Sequence, residues 1–599
     1  MKRSLITLSL LAAFGSIVPA APALAAAPAA ASVPYAAFDQ WAERFSADWA
    51  RQVPEMATIS QYFSGKEQQA LDGQLTPQTP AARAARVALA KQGLAGLAKF
   101  DKAPLDATQR ISQQTMRWTL ENAVANAAFE DFNFAFDQFR GVHVNLVNFL
   151  SNQHPIRNAD DIANYQNRLE QVAERVDEAL ARSRSATARG MLPPRFILER
   201  AQAQVDAFLK PDAVNNVLVS SLAERSAKVQ GLDAAQRQLA VARATATVER
   251  SVRPAWQRIA AYLAELHPKT TATAGISRLP GGDKAYARAL ENYTSTKLTA
   301  EQIHAIGLRE VARLEAEMDK HLRSLGLTEG DVETRMNQLD ARLSPPASPD
   351  PRPEILAKYK AYVKDALERS KAVFNLMPKA PVDVRREPAI TEPTAAAHYT
   401  VPAPDGSLPG VFWVPLRGPS FNIPRMRSLS YHEAVPGHHF QLAIVQEEKG
   451  LPKYRSSRLF SGGSANSEGW ALYAERLAVE QGWYKDDVPG LLGALGSELF
   501  RARRLVVDTG IHAKGWTREQ GIAYGIGAQE VERYVAMPGQ ACAYMIGMLR
   551  ILELREKAQK ALGAKFDLKA FHDVILRAGV VPLDVLSATV ESWIASQKA

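Results

Sequence analysis

The sequence predicts a mainly α fold with a small antiparallel β-sheet beside a histidine-bearing helix. Three observations carry that prediction. Apolar residues recur three and four positions apart along most of the chain, the period of a helix with one buried face. Ala, Leu, Glu, Gln and Arg, all good helix formers, fill the positions between them. Only between Val382 and Pro415 does the pattern change to short β-branched and aromatic runs.

In chain order, residues 1–25 read as a secretory signal peptide. Lys2 and Arg3 form its charged start, Leu5 to Val18 its apolar run, and Ala23-Leu24-Ala25 its cleavage signal. The run is too short for a normal membrane span. No cysteine lies near the cleavage point, so lipid attachment is not expected. The mature protein is expected to be periplasmic or secreted, with residues 26–34 as a disordered leader. Residues 35–376 read as a helical wall or lid, and 377–599 as the metal-binding region, with the two forming one continuous unit.

Within the first region, Asn164 to Thr187 places Tyr165, Leu169, Val172, Val176 and Leu180 on one stripe. Thr76 to Pro80, Asn152 to Asn158 and Leu192-Pro193-Pro194 interrupt the helices. The aromatic-rich stretch Phe129 to Phe149 reads as a core face. His267 to Asp283 is an irregular connection. Thr299, with Gln302 three residues on, is a capping box for a helix running to about Leu322. Five prolines between Ser344 and Pro353 mark a loop, and a helix from Pro353 to about Leu376 follows. Val382 to Arg385, Ala397 to Val401 and Gly410 to Pro415 read as strands, with Asp405-Gly406 as a turn. Pro415 suits an edge strand, and His398 reads as a solvent-facing strand residue. Asp567 to the end is a helical tail.

Charge and cysteine usage narrow the function. The formal charge is +9, and removal of Lys2 and Arg3 leaves a modest excess for a chain of this size. No dense basic run interleaves with aromatics, so nucleic acid is not an expected partner. The single cysteine, Cys542, excludes an internal disulfide, and its apolar surroundings suit a buried small hydrophobe.

The chemistry concentrates in Ser430-Tyr431-His432-Glu433-Ala434-Val435-Pro436-Gly437-His438-His439-Phe440-Gln441. This is a stretched form of the H-E-x-x-H motif, in which two histidines one helical turn apart bind zinc and the glutamate is the general base. On a regular helix His432 and His438 point about 120° apart. Pro436 and Gly437 predict a bulge or restart that absorbs the two extra residues. His438 then takes the second ligand position and His439 is displaced toward supporting contacts. A catalytic zinc keeps three protein ligands. Glu468, in the first turn of a helix capped by Ser464, Asn466 or Ser467, is the candidate third.

H-E-A-V-P-G-H-H-F-Q followed by S-E-G-W-A-L-Y-A-E resembles the bacterial domain-of-unknown-function family 885. The resemblance extends to Gly275–Tyr286, Tyr293–Thr296 and Arg533–Gln540. That family is distantly similar to the helical zinc carboxypeptidases and oligopeptidases. The resemblance implies a mostly helical peptidase with a deep cleft around one Zn2+ ion; it does not supply the substrate. It also implies a tyrosine and a histidine opposite the metal to steady an oxyanion. Tyr534 and Tyr544 are the first candidates, ahead of Tyr473 and Tyr524, with His512 as the histidine. Arg504, Asp508 and His512 are spaced by four and share a helix face, which suits either an Asp508 that orients or charges His512 or a surface ion-pair ladder. Arg533 or Gln540 would hold a peptide carbonyl or terminal carboxylate.

The expected activity is therefore peptide-bond hydrolysis, with Glu433 as base and zinc on His432, His438 and Glu468. Two other readings fit the same residues: a zinc amidase acting on cell-wall peptides, and a non-catalytic peptide-binding protein with a structural metal. Exo- or endopeptidase action and oligomeric state are not legible.

Overall fold

The computed structural model describes residues 35–345, 349–388, 392, 395–402, 406, 408–418 and 421–598. The signal segment, the leader and Asp405 of the expected turn lie outside the described residues.

Periodicity becomes packing most plainly in helix α1 (Ala159–Ala188). Asn158 caps it by accepting from the Asp161 backbone, and the whole stripe from Tyr165 to Leu180 is buried. That stripe anchors a cluster drawn from Leu75 to Leu266. A smaller cluster joins Phe38 to Leu120 with Tyr454, Leu459 and Phe460. The aromatic stretch divides between two environments. Phe136 and Phe149 are in the core, whereas Phe129, Phe132 and Phe134 are only half-buried and line a cavity.

Helix α2 (Gly282–Thr294) leads into α3 (Ala300–Ser324), where Thr299 and Gln302 form the expected reciprocal capping box. Helix α4 (Arg352–Ser370) stops short of Leu376. The largest core runs from Ile276 to Ile594. Residues 276–376 thus share their interior with the metal-bearing helices.

The three strands, β1 (Val382–Arg386), β2 (His398–Thr400) and β3 (Gly410–Val414), lie within a residue or two of their predicted bounds. The sheet is mixed rather than antiparallel. Its order is β1-β3-β2, with β1 parallel and β2 antiparallel to β3. β3 is therefore the central strand, not the edge, and Pro415 falls just past its end where no ladder bond is needed. Its burial explains the order. Val411, Phe412 and Val414 are buried, and Phe412 meets Tyr359 of α4 edge-on at 5.6 Å. His398 is exposed, as expected.

After the sheet come α5 (Arg425–Glu433), α6 (His438–Glu447), α7 (Ser464–Glu480), α8 (Val488–Ala513), α9 (Ala528–Ala536) and α10 (Ala543–Leu562). Helices α7 and α10 touch backbone to backbone. A Cβ on Gly469 would fall 2.5 Å from Gly547 Cα, and one on Gly547 would fall 1.9 Å from Ala465 O. This contact packs α7, which carries Glu468, against α10, which carries Tyr544. No single helix among the described residues is long and apolar enough to cross a membrane.

Candidate metal centre

The stretched motif is solved by a break. Helix α5 ends at Glu433 and α6 begins at His438, with Val435–Pro436 cis between them. The Ala434 and Val435 amides close back on Ser430 O at 3.0 and 3.3 Å, and Trp470 Nε1 of α7 donates to Pro436 O at 2.9 Å. Gly437 is required by space. A Cβ there would sit 1.9 Å from His432 O and 2.3 Å from Tyr431 O. Gln441 Nε2 donates to Asn466 Oδ1 at 2.9 Å, tying α6 to the start of α7.

This restart turns His438 back toward His432. Their rings are 4.9 Å apart and nearly perpendicular. Glu468 Oε2 lies 3.4 Å from His432 Nε2 and 3.3 Å from His438 Nε2. One ligand atom from each residue falls within 4.8 Å of the others. His439 points elsewhere. Its Nδ1 meets the Tyr399 hydroxyl of β2 at 2.9 Å, and burial lowers its pKa to about 4.

Hydrogen bonding argues that a cation suits this triangle. His432 Nδ1 donates to Glu475 Oε1 at 2.8 Å, which leaves a lone pair on Nε2. Glu475 in turn accepts from the Ser428 hydroxyl. His438 Nδ1 is 3.4 Å from Ser467 Oγ. Glu468 Oε2 is buried with no hydrogen-bond donor. Imidazole lone pairs and a donorless carboxylate oxygen therefore converge on one point, and such a set fits zinc. The carboxylates add the right field. Burial raises the pKa of Glu475, but Arg501, His432 and Ser428 outweigh it and bring the value to about 2.

Glu433, the residue after the first ligand, is 7 % exposed, and burial raises its pKa above the usual carboxylate value. That is the direction that makes a carboxylate a better base. Tyr544 lies over the site. Its ring stacks on His432 at 6.3 Å and 17°, and its hydroxyl is 3.4 Å from Arg533 Nη2. Arg533 also donates to Gln540 Oε1 at 2.6 Å, and Gln540 Nε2 to Ser464 Oγ at 3.1 Å. This chain links α9 to the first turn of α7.

The other expected roles fall to different residues. His512 is committed to backbone: Nδ1 accepts from Ile276 N at 3.1 Å and Nε2 donates to Tyr534 O at 3.0 Å. With both nitrogens used and the ring 1 % exposed, it has nothing left for an oxyanion. Asp508 does not orient it. Asp508 accepts from Tyr286 at 2.6 Å and from the Gly539 amide at 3.0 and 3.1 Å. Tyr534 accepts from Arg504 Nε at 3.1 Å and is 1 % exposed. Tyr473 is held by His572 at 2.7 Å, and Tyr524 packs on Trp516. Of the four tyrosines, Tyr544 alone stacks on a metal-ligand candidate. Glu475 is the site residue that the sequence does not single out. It lies seven positions after Glu468, two turns on and on the same helix face, and Ser428 lies one turn before His432.

The pattern of the bacterial protein family of unknown function DUF885 matches residues 54–590. The chain belongs to this family. No curated protein gives a match. Among solved structures, the DUF885 chain is similar to one described as the putative lipoprotein from Colwellia psychrerythraea. The identity is 32 % and the TM-score 0.86, over 93 % of this chain and 99 % of that one. A second, described as a putative lipoprotein of unknown function from Shewanella oneidensis, is 22 % identical. It has a TM-score of 0.69 over 92 % of this chain and 99 % of that one, and shares the fold.

Proposed function

We propose that this DUF885 protein is an exported zinc-dependent peptidase. The observation that carries the reading is the donorless, buried Glu468 Oε2 facing Nε2 of both His432 and His438, with the base candidate Glu433 directly after His432. A structural zinc site closes with a fourth protein ligand. Here the only cluster of three or more metal-ligating side chains among the described residues stops at three. Export is supported by the leader-like start of the sequence and by the lipoprotein description of the structure that is 32 % identical.

His432, His438 and Glu468 would hold the ion, with Glu475 and Ser428 fixing the His432 ring. Zinc in such a site supplies a polarised carbonyl and an acidified water. Glu433 would take the proton of the attacking water and return it to the leaving amine. Tyr544 would donate its hydroxyl to the developing oxyanion, the kind of contact that preorganised donors make.

The test is Glu433→Gln. The amide keeps the side chain's shape but accepts no proton, so hydrolysis of a mixed peptide library should fall by about 10²–10⁴-fold. Zinc content, melting temperature and peptide affinity should hold. Unchanged turnover would remove Glu433 as base. No cleavage of any peptide by the zinc-loaded wild type would transfer the site to the amidase or binding-protein reading.

A further inference from the structure

A cavity of about 750 Å³ lies in the amino-terminal half. Five guanidinium groups line it: Arg86, Arg140, Arg175, Arg182 and Arg288. Only two carboxylates do, and both are spoken for. Glu55 accepts from the backbone and hydroxyl of Thr76, and Asp137 accepts from the backbone of Phe139 and Arg140.

The arginines, by contrast, are under-used. Arg86 reaches only Pro77 O at 3.3 Å and Gln78 Oε1 at 3.5 Å. Arg182 donates to the carbonyls of Glu130 and Asn133. Arg140 donates to the Tyr293 hydroxyl at 2.6 Å and to Ala536 O at 3.2 Å. None of these three has a carboxylate within ion-pair distance among the described residues. Arg175 is 5 % exposed, pairs through Nη2 with Glu174 and Glu178, and leaves buried Nε and Nη1 without a partner. Arg288 likewise leaves Nη2 unpartnered. A buried donor left unmade is costly, and guanidinium forks match carboxylates in shape.

The cavity borders the start of α7, the helix that carries Glu468. Pro538 lines it two residues before Gln540, the residue bonded to Ser464 of α7. Asn292 lines it too, and its carbonyl is 3.4 Å from where a Cβ on Gly463 would stand. Half-buried Phe129, Phe132 and Tyr293 supply apolar surface between the charges. The volume falls in the range that small ligands fill.

We infer that this cavity receives the acidic portion of a peptide, with Asp, Glu or terminal carboxylates set among the guanidiniums. This deepens the peptidase reading and rests on it for the peptide nature of the ligand. The test uses the zinc-loaded full chain carrying Glu433→Gln and fluorescence anisotropy with labelled, capped tetraglutamate, tetra-alanine and tetralysine peptides. Tetraglutamate should bind at least about tenfold more tightly than tetra-alanine, the scale of one or two charge-assisted hydrogen bonds, and tetralysine should be weakest. Arg86→Gln with Arg182→Gln should collapse that preference toward one at an unchanged melting temperature, and Arg86→Gln alone should reduce it. Equal affinities in the unmodified cavity, or equal weakening for both peptides in the arginine variants, would overturn the inference. So would displacement of tetraglutamate by inorganic phosphate at equal concentration, which would mark a site for any compact anion. An arginine-dependent acidic preference in a protein whose wild type cleaves nothing would keep the cavity and discard the hydrolase.

Discussion

Glu475 shows how a residue away from the ligand set governs it. Its Oε1 accepts a hydrogen bond from Nδ1–H of His432, and its other oxygen is fixed by Ser428. That bond chooses the tautomer and aims Nε2 at Glu468. Glu475→Gln should therefore weaken zinc binding by about 10–100-fold, the usual cost of losing such a support, while His432→Ala should abolish it. Zinc titration against a chelator on both variants measures the difference, and equal losses would make Glu475 a ligand rather than a support. The ligand candidates themselves were legible in the sequence, because histidines and acids gathered around a Pro-Gly break form the donor set that a metal ion requires. Glu475 was not, because an acid on a helix is ordinary until its partner is known. Asp508 and His512 failed for a related reason: a spacing of four fixes a shared face but not what that face meets. Here it meets the Gly539 amide, Tyr286 and two backbone segments.

Among the elements, the α5–α6 break carries the most information per residue. The sequence predicted a restart at Pro436-Gly437 from proline's missing donor and glycine's freedom, and the two helices end and begin there. The glycine is needed for close approach, since a methyl group would meet two carbonyl oxygens of the preceding turn. Gly437→Ala should force those carbonyls apart, cost about 2 kcal/mol or more, and separate His438 from His432. Calorimetry should show a lower melting temperature, and zinc content should fall with it. A stable, zinc-loaded Gly437→Ala protein would mean that the metal does not depend on the restart. The sheet was less legible. Hydrophobic pattern located all three strands, but the order β1-β3-β2 depends on the long connections between them, which local pattern does not encode. The expectation that Gly410 to Val414 offers an open edge fails with that order.

At the scale of the molecule, the metal centre and the helices preceding the sheet share one interior, and Asp508 is one of its fasteners. It joins Tyr286 of α2 and the Gly539 amide to α8, and lies against Cys542. Burial raises its pKa from the ordinary 3.8 to about 7, even though hydrogen bonds from Tyr286 and Gly539 pull the other way. The folded protein therefore holds a proton at Asp508 that the unfolded chain releases near pH 4. Because the native state binds the extra proton, this group's contribution is fully present below pH 3.8 and is lost as the pH rises through 7. The gap between 3.8 and about 7 corresponds to about 4 kcal/mol. Asp508→Asn cannot titrate, and its amide oxygen can still accept from Tyr286 and Gly539. The variant should gain stability relative to wild type between pH 4 and 7, with the difference levelling above pH 7. Urea unfolding of both proteins across that range measures it. A difference that does not change with pH would place the proton elsewhere and leave Asp508 ionised in the folded protein.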